Sequence, residues 1–305
     1  MFTLKFGITL FYGGLSFVVY FMTIFMVRKY WKEFSISFFR LYIAFFVFNL
    51  LTFLNSFITV RIPQNTCKEC FPSTFFKSNS QNATSNYFPL NIFYTIHWSM
   101  AFVQYSMIML ISINRFSMIF FMTSYNSKWN KAFPFIIFIV AIFPISQTYP
   151  IFLKQAYFDY TESLDCYATK TLADTNPIYN YLLIFMALTT VITALANILA
   201  FFRLQFLVEK IPKGEQNLMF VSLAMFIVQL FAGGNTMIIK FMINDMTSLW
   251  AQVAVTLLPF TSDGLTLIHP WILLMFSRKV RSYMIKMYFP KYYKSSTVTV
   301  MSTKP

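Results

Sequence analysis

A chain of 305 residues that is 57% hydrophobic and only 11% charged is not an ordinary soluble domain, in which about 25% of residues are charged. Its 40 phenylalanines and 18 methionines exceed what one soluble core of this length could bury. A formal charge of +14 would suit a nucleic-acid partner, but its placement along the chain points to membrane lipid and to no nucleic acid.

Charge-free stretches delimit the elements. Crossing ~30 Å of hydrocarbon takes about 20 helical residues, and the first stretch, 6–27, is long enough. It exceeds the roughly 7–15 apolar residues of a signal-peptide core. No small-x-small cleavage site follows, so it is expected to stay as a first span that also directs targeting. Gly13-Gly14 inside it permit close helix approach. The second span, 41–60, carries Asn49. A third charge-free run, 78–114, starts in the polar segment Ser78-Asn79-Ser80-Gln81-Asn82, which places the span itself at 91–114. Tyr94, His97 and Trp98 stand near its start, Gln104 is deeper, and Asn114-Arg115 close it. Further spans are expected at 132–153, 177–202, 216–239 and 248–276. None shows the period-two alternation of a barrel strand. The expected fold is an all-α membrane protein, a seven-transmembrane helix bundle occupying residues 1–290 ahead of a cytoplasmic tail at 291–305.

After the last span, Val280, Tyr283, Met284, Met287 and Tyr288 recur at helical spacing, opposite Arg278, Lys279, Arg281 and Lys286, and Pro290 stops the run. This predicts an amphipathic helix over 278–289 on the cytoplasmic leaflet, its cations near anionic lipid. The plainer alternative is a basic flank.

Lys and Arg divide between alternate loops as 17 against 7. The richer side holds the carboxyl terminus and is therefore cytoplasmic, with the amino terminus outside. All three cysteines then fall in outer loops, where disulfides persist. So does the only N-x-S/T acceptor, Asn82-Ala83-Thr84, a candidate glycosylation site. Cys166 is expected to bridge to Cys67 or Cys70, closing one outer loop against another. The alternative is a local Cys67–Cys70 ring that leaves Cys166 unpaired.

A charge inside a span costs at least ~2.5 kcal/mol at mid-bilayer, so it is a functional candidate by default. Asp263 is that residue, on one face of the seventh span with Thr266 and Pro270; Pro270 deprives the Thr266 carbonyl of its helical donor. Asp263 is either part of a polar core that changes between two states or a static hydrogen-bonded group facing Asn49. Tyr94, His97 and Gln104, with Tyr179, Gln229 and Asn235 on spans five and six, are candidates to line a small-molecule cavity; for His97, packing against a neighbouring helix is the alternative. Gly233-Gly234 is the expected flexible point of span six, which has no proline. Two histidines on different spans make no metal site, and no G-x-S-x-G, H-E-x-x-H or P-loop occurs, so no cofactor and no catalysis are expected.

Leu110-Ile111-Ser112-Ile113-Asn114-Arg115-Phe116 and His269-Pro270-Trp271-Ile272-Leu273-Leu274-Met275-Phe276-Ser277-Arg278-Lys279-Val280-Arg281 resemble the corresponding segments of nematode serpentine chemoreceptors of the serpentine receptor class gamma family. The resemblance runs through residues 1–290 and implies a G-protein-coupled receptor in chemosensory signalling, with a small-molecule ligand and a heterotrimeric G protein as partners. By position, Arg115 matches the arginine that closes span three in rhodopsin-like receptors and faces the G protein. Asn114 stands where those receptors usually have an acid. Pro270 matches the span-seven proline motif, with Leu273 and Leu274 where a tyrosine is usual. Against the receptor stands a channel or transporter. An odd number of spans, no repeated halves and a single intramembrane acid are poor material for that.

Overall fold

The computed structural model describes residues 4–34, 36–81, 88–121, 125–162, 165–206, 213–242 and 249–292. Six helices among them are long and apolar enough to cross a membrane. They are α1 (Leu4–Lys29), α3 (Ser37–Ser56) with its continuation to Gln64, α6 (Leu90–Phe120), α7 (Tyr125–Leu153), α8 (Asn176–Phe206) and α9 (Lys213–Met242). The seventh crossing is made in two pieces, α10 (Leu249–Leu267) and α11 (His269–Phe276), which meet at Ile268. Pro270 cannot supply the amide that Thr266 would need, and the helix breaks beside it. The chain is a multi-pass membrane protein.

The helices overrun the charge-free stretches. Lys and Arg at a span end can lie along the helix with their heads at the interface, so a charge marks where lipid ends rather than where the helix does. α6 continues past Arg115 to Phe120. More consequentially, α3 does not stop at Val60. It passes through one π turn, Phe57–Arg61, into α4 (Ile62–Gln64), and carries Arg61 into the bundle.

α6 is the central strut, packed against α3, α7, α8 and α9. Its buried apolar side chains Phe102, Met107 and Ile111 join Tyr20 and Met26 of α1, Phe38 and Phe45 of α3, and Leu273 of α11 in one cluster. Large apolar residues on the outer faces, such as Phe11, Phe135, Ile184 and Phe231, are exposed, as a lipid solvent requires. Lipid tails are as apolar as leucine, so the bundle is held by close packing and inter-helix hydrogen bonds. Gly13 shows the packing: a Cβ there would come 2.5 Å from Cζ of Phe53, so α1 and α3 lie this close only because the residue is glycine.

One end of the bundle is covered by a β-hairpin, β1 (Ala156–Thr161) paired antiparallel with β2 (Cys166–Thr171), the departure from an all-helical chain among the described residues. Phe158 and Tyr167 of the hairpin pack on Phe76 of the short helix α5 (Ser73–Ser78) and near Leu90 at the start of α6. At its turn Asp165 has φ 43°, a left-handed conformation that Asp tolerates. Its carboxylate accepts from Tyr160 Oη at 2.6 Å and from the Lys68 amide at 3.3 Å. Those bonds hold the Asp165 carboxyl below its usual range, and the first of them pushes the partly buried Tyr160 phenol up to about 12. They tie the hairpin to a ring closed by a Cys67–Cys70 disulfide.

This corrects the expected pairing: Cys166 is a free, buried thiol at the start of β2. The two-residue spacing keeps Cys67 and Cys70 within reach of each other in a single turn, with Cα atoms 5.2 Å apart. Hairpin and loop are instead joined by hydrogen bonds. Asn82 lies outside the described residues, as do 293–305 of the tail.

The opposite end carries α12 (Arg278–Tyr288). Ser277 caps it, accepting from the Val280 amide at 3.3 Å, and Arg281 donates to the Leu274 carbonyl at 2.6 Å at the end of α11. Val280 and Met284 are buried, Tyr283 packs on Tyr30 and on Phe34 of the short helix α2 (Trp31–Phe34), and Tyr288 donates to the Met22 carbonyl at 3.0 Å. α12 therefore docks on α1 and α2.

Candidate functional site

Three polar clusters cross the apolar bundle, and α6 supplies a member to each of the two deeper ones. The first stands near the hairpin end. Arg61, 9% exposed, forms an ion pair with Asp263, 5% exposed, which also accepts from the hydroxyl of Tyr12. Nε of Arg61 donates to Ser56 Oγ at 2.7 Å, and its guanidinium lies 4.8 Å from the Phe53 ring centre and 5.4 Å from that of Phe57. α1, α3 and α10 are thus joined through one carboxylate. The π turn makes this possible, because its extra residue rotates the helix beyond Phe57; such turns are frequent at functional sites. The same turn presents the Thr59 carbonyl to Thr169 of the hairpin at 2.7 Å, while Thr59 Oγ1 lies 3.4 Å from Nδ1 of His97.

Asp263 therefore does not face Asn49, as the similar depth of the two in sequence suggested. Asn49 is buried and donates to Tyr20 Oη at 3.2 Å. The partner of Asp263 is Arg61, the residue that follows the charge-free window of the second span at 41–60. A lone acid inside a span pairs with whatever cation the bundle can deliver. That requirement, applied to an arginine directly abutting span two, was the available signal.

The second cluster is deeper. Gln104 Nε2 donates to Thr266 Oγ1 at 2.9 Å, linking α6 to α10 one turn beyond Asp263. Tyr105 Oη donates to the Gln229 carbonyl at 3.3 Å, and Gln229 Nε2 donates to Thr190 Oγ1 at 3.1 Å. Asn235 Nδ2 donates to the Ala254 carbonyl and Tyr179 Oη to the Thr236 carbonyl, each at 3.1 Å. Tyr94 stacks with His97 at 6.1 Å between ring centres, and Trp98 stands edge-on to Tyr94 at 6.4 Å and to Tyr179 at 6.0 Å. Of the six residues expected to line a ligand cavity, Tyr94, His97 and Tyr179 thus gather with Trp98 in an aromatic group. Gln104, Gln229 and Asn235 are committed to bonds between helices. None of the six lines the 420 Å³ cavity that opens between α7 and α8.

The third cluster lies toward the α12 end. Ser112, Asn197 and Ser222 close a triangle among α6, α8 and α9, with contacts of 2.9, 2.9 and 3.2 Å. Nothing in the sequence had singled these three out, since Ser and Asn are common in spans. Below them Asn114 Nδ2 donates to Ser37 Oγ at 2.7 Å, and the Ser37 amide donates to Asn126 Oδ1 at 2.9 Å. Arg115, 2% exposed, donates to Asn114 Oδ1 at 2.6 Å and lies 4.7 Å from the Phe38 ring centre. Asn114, standing in place of the usual acid, offers one of the guanidinium nitrogens a neutral acceptor, and Phe38 offers the cation a ring.

Comparison with known proteins gives two matches. Residues 6–284 match the family described as "Srg family chemoreceptor". The Caenorhabditis elegans protein "Serpentine receptor class gamma-31" is 32% identical over 298 residues, which cover 96% of this chain and 95% of that protein.

Proposed function

The chain belongs to the Srg family of chemoreceptors, and from that premise we propose that it is a plasma-membrane receptor that binds a small molecule at its hairpin end and activates a heterotrimeric G protein at its α12 end. The hairpin end faces outward, on the 17-to-7 division of cations. The observation that carries the reading is that α6 joins both ends. His97 touches the π turn beneath the hairpin, Gln104 holds the Asp263-bearing helix through Thr266, and Asn114-Arg115 stand at the far end.

A ligand shifts a receptor only by its differential affinity for two arrangements. Here the ligand contacts Tyr94, His97 and Tyr179. It favours an arrangement in which α10 moves relative to α6, the Gln104–Thr266 and Arg61–Asp263 links being the ones exchanged. Asn49 and Pro270 let α3 and α11 follow. At the other end, separation of α3 from α6 withdraws Ser37 and Phe38 from Asn114 and Arg115 and exposes the guanidinium to the G protein.

A screen of volatile and water-soluble small molecules, in cells expressing the chain with and without a functional G protein, tests this. The expected active compound raises a second-messenger signal only when the G protein is present. A membrane current that survives its removal would instead establish a channel.

A further inference from the structure

The chain leaves α7 at Leu153, runs out through the hairpin and returns into α8 at Asn176. The base of that excursion is pinned by the Leu172 amide donating to the Gln155 carbonyl at 3.0 Å, and beside it lies a cavity of about 420 Å³. α7 and α8 both pack on α6 and touch each other little, so the cavity opens between them. Tyr149 and Tyr181 flank it, both more than half exposed, like the tyrosines that mark the headgroup level of a bilayer.

Two charges share its wall. Lys154 stands where α7 ends and Asp174 just before α8 begins; both are exposed, and they make no ion pair with each other. One oxygen of Asp174 accepts from the Asn176 amide at 3.0 Å, and among the described residues the other has no hydrogen bond. Deeper in the wall Gln147 gives one N–H to Ser146 Oγ at 3.2 Å and keeps the second.

We propose that this cavity binds a zwitterionic phospholipid of the surrounding bilayer, its phosphate at Lys154 and its ammonium at Asp174. A cation and an anion on one wall, unbridged, match a head that carries both charges. An anionic head would set its charge against Asp174, and an uncharged one would leave both residues unanswered. The remaining Gln147 N–H is placed for an ester carbonyl, and the acyl chains continue along the exposed apolar faces of α7 and α8, where Ile145 and Ile184 lie. The site is separate from the aromatic group proposed for the ligand and does not depend on it.

The test uses the full-length chain in detergent, titrated with phosphatidylethanolamine, phosphatidylcholine or phosphatidylglycerol of the same acyl chains and read by native mass spectrometry. Either zwitterionic lipid should be retained about tenfold more tightly than phosphatidylglycerol. Lys154→Glu and Asp174→Lys should each weaken retention about tenfold, and the double exchange should restore it, because a dipolar head can turn round. Both positions are exposed, so these variants leave the bundle intact. Glycerophosphoethanolamine, the head without chains, should bind far more weakly than the lipid. Equal retention by all variants, a preference for phosphatidylglycerol, or binding of the bare head as tight as that of the lipid would each overturn the proposal.

Discussion

At the scale of single residues, two arginines illustrate what a membrane interior does to charge. Arg61 is neutralised by Asp263 and roofed by phenyl rings; Arg115 is met by a neutral amide and a ring. Removing one member of a buried pair leaves the other uncompensated, at a cost of about 3–5 kcal/mol, whereas replacing both by apolar residues is often near neutral. Asp263→Ala should therefore lower the thermal midpoint of the purified chain sharply, and Arg61→Leu combined with Asp263→Leu should recover most of the loss. Failure of the double change to recover it would mean that the two residues act independently. For Arg115 the informative change is to lysine, which keeps the charge but loses the planar fork of donors. Lysine cannot present two parallel donors, and losing one charge-assisted hydrogen bond costs about 1.5–3 kcal/mol, so Arg115→Lys should cut G-protein activation per surface receptor about tenfold or more. Unchanged activation in both the Lys and the Ala variants would remove Arg115 from the mechanism.

At the scale of elements, the spans were legible because charge is excluded from hydrocarbon, and the amphipathic stretch after the last span because its apolar residues recur at helical spacing. Their ends were not. A charge-free window closes at Val60, yet the backbone hydrogen bonds of α3 continue through the π turn to Gln64, and a π turn has no sequence signature. The hairpin was written in residues such as Tyr157, Phe158, Tyr160, Thr169 and Thr171, which favour strands, but a short strand pair between two long spans is easily read as loop. The disulfide turned on distance: Cys67 and Cys70 meet within one turn, whereas Cys166 depended on a tertiary docking that hydrogen bonds from Asp165 already accomplish. Non-reducing peptide mapping should recover Cys67 joined to Cys70 and Cys166 as a thiol that alkylates only after denaturation. A peptide joining Cys166 to either of the others would contradict the fold at this end.

At the scale of the molecule, the number of crossings, the buried acid and the family could be read from the chain, but the wiring could not. Asp263 and Arg61 are 202 positions apart, Gln104 and Thr266 162, and Ser112 and Ser222 110. No periodicity within a helix specifies which of its polar residues will find a partner across such separations. What the wiring adds is a physical route between ends, with α6 as the shared strut. The direction of signalling along it depends on topology. An epitope placed after Pro305 should be protected from antibody in intact cells and reached after permeabilisation; staining of intact cells would invert the assignment of ligand and G-protein ends.

In the proposed mechanism a small molecule bound at the hairpin end changes what the α12 end presents to a G protein. The most direct measurement is guanine-nucleotide exchange on a purified heterotrimeric G protein, catalysed by the purified chain in lipid nanodiscs, with an active compound from the cellular screen. The compound should accelerate exchange with the intact chain, and Arg115→Lys should abolish most of the acceleration while leaving binding of the compound unchanged. Saturable binding of the compound with no acceleration of exchange by the intact chain would contradict the mechanism.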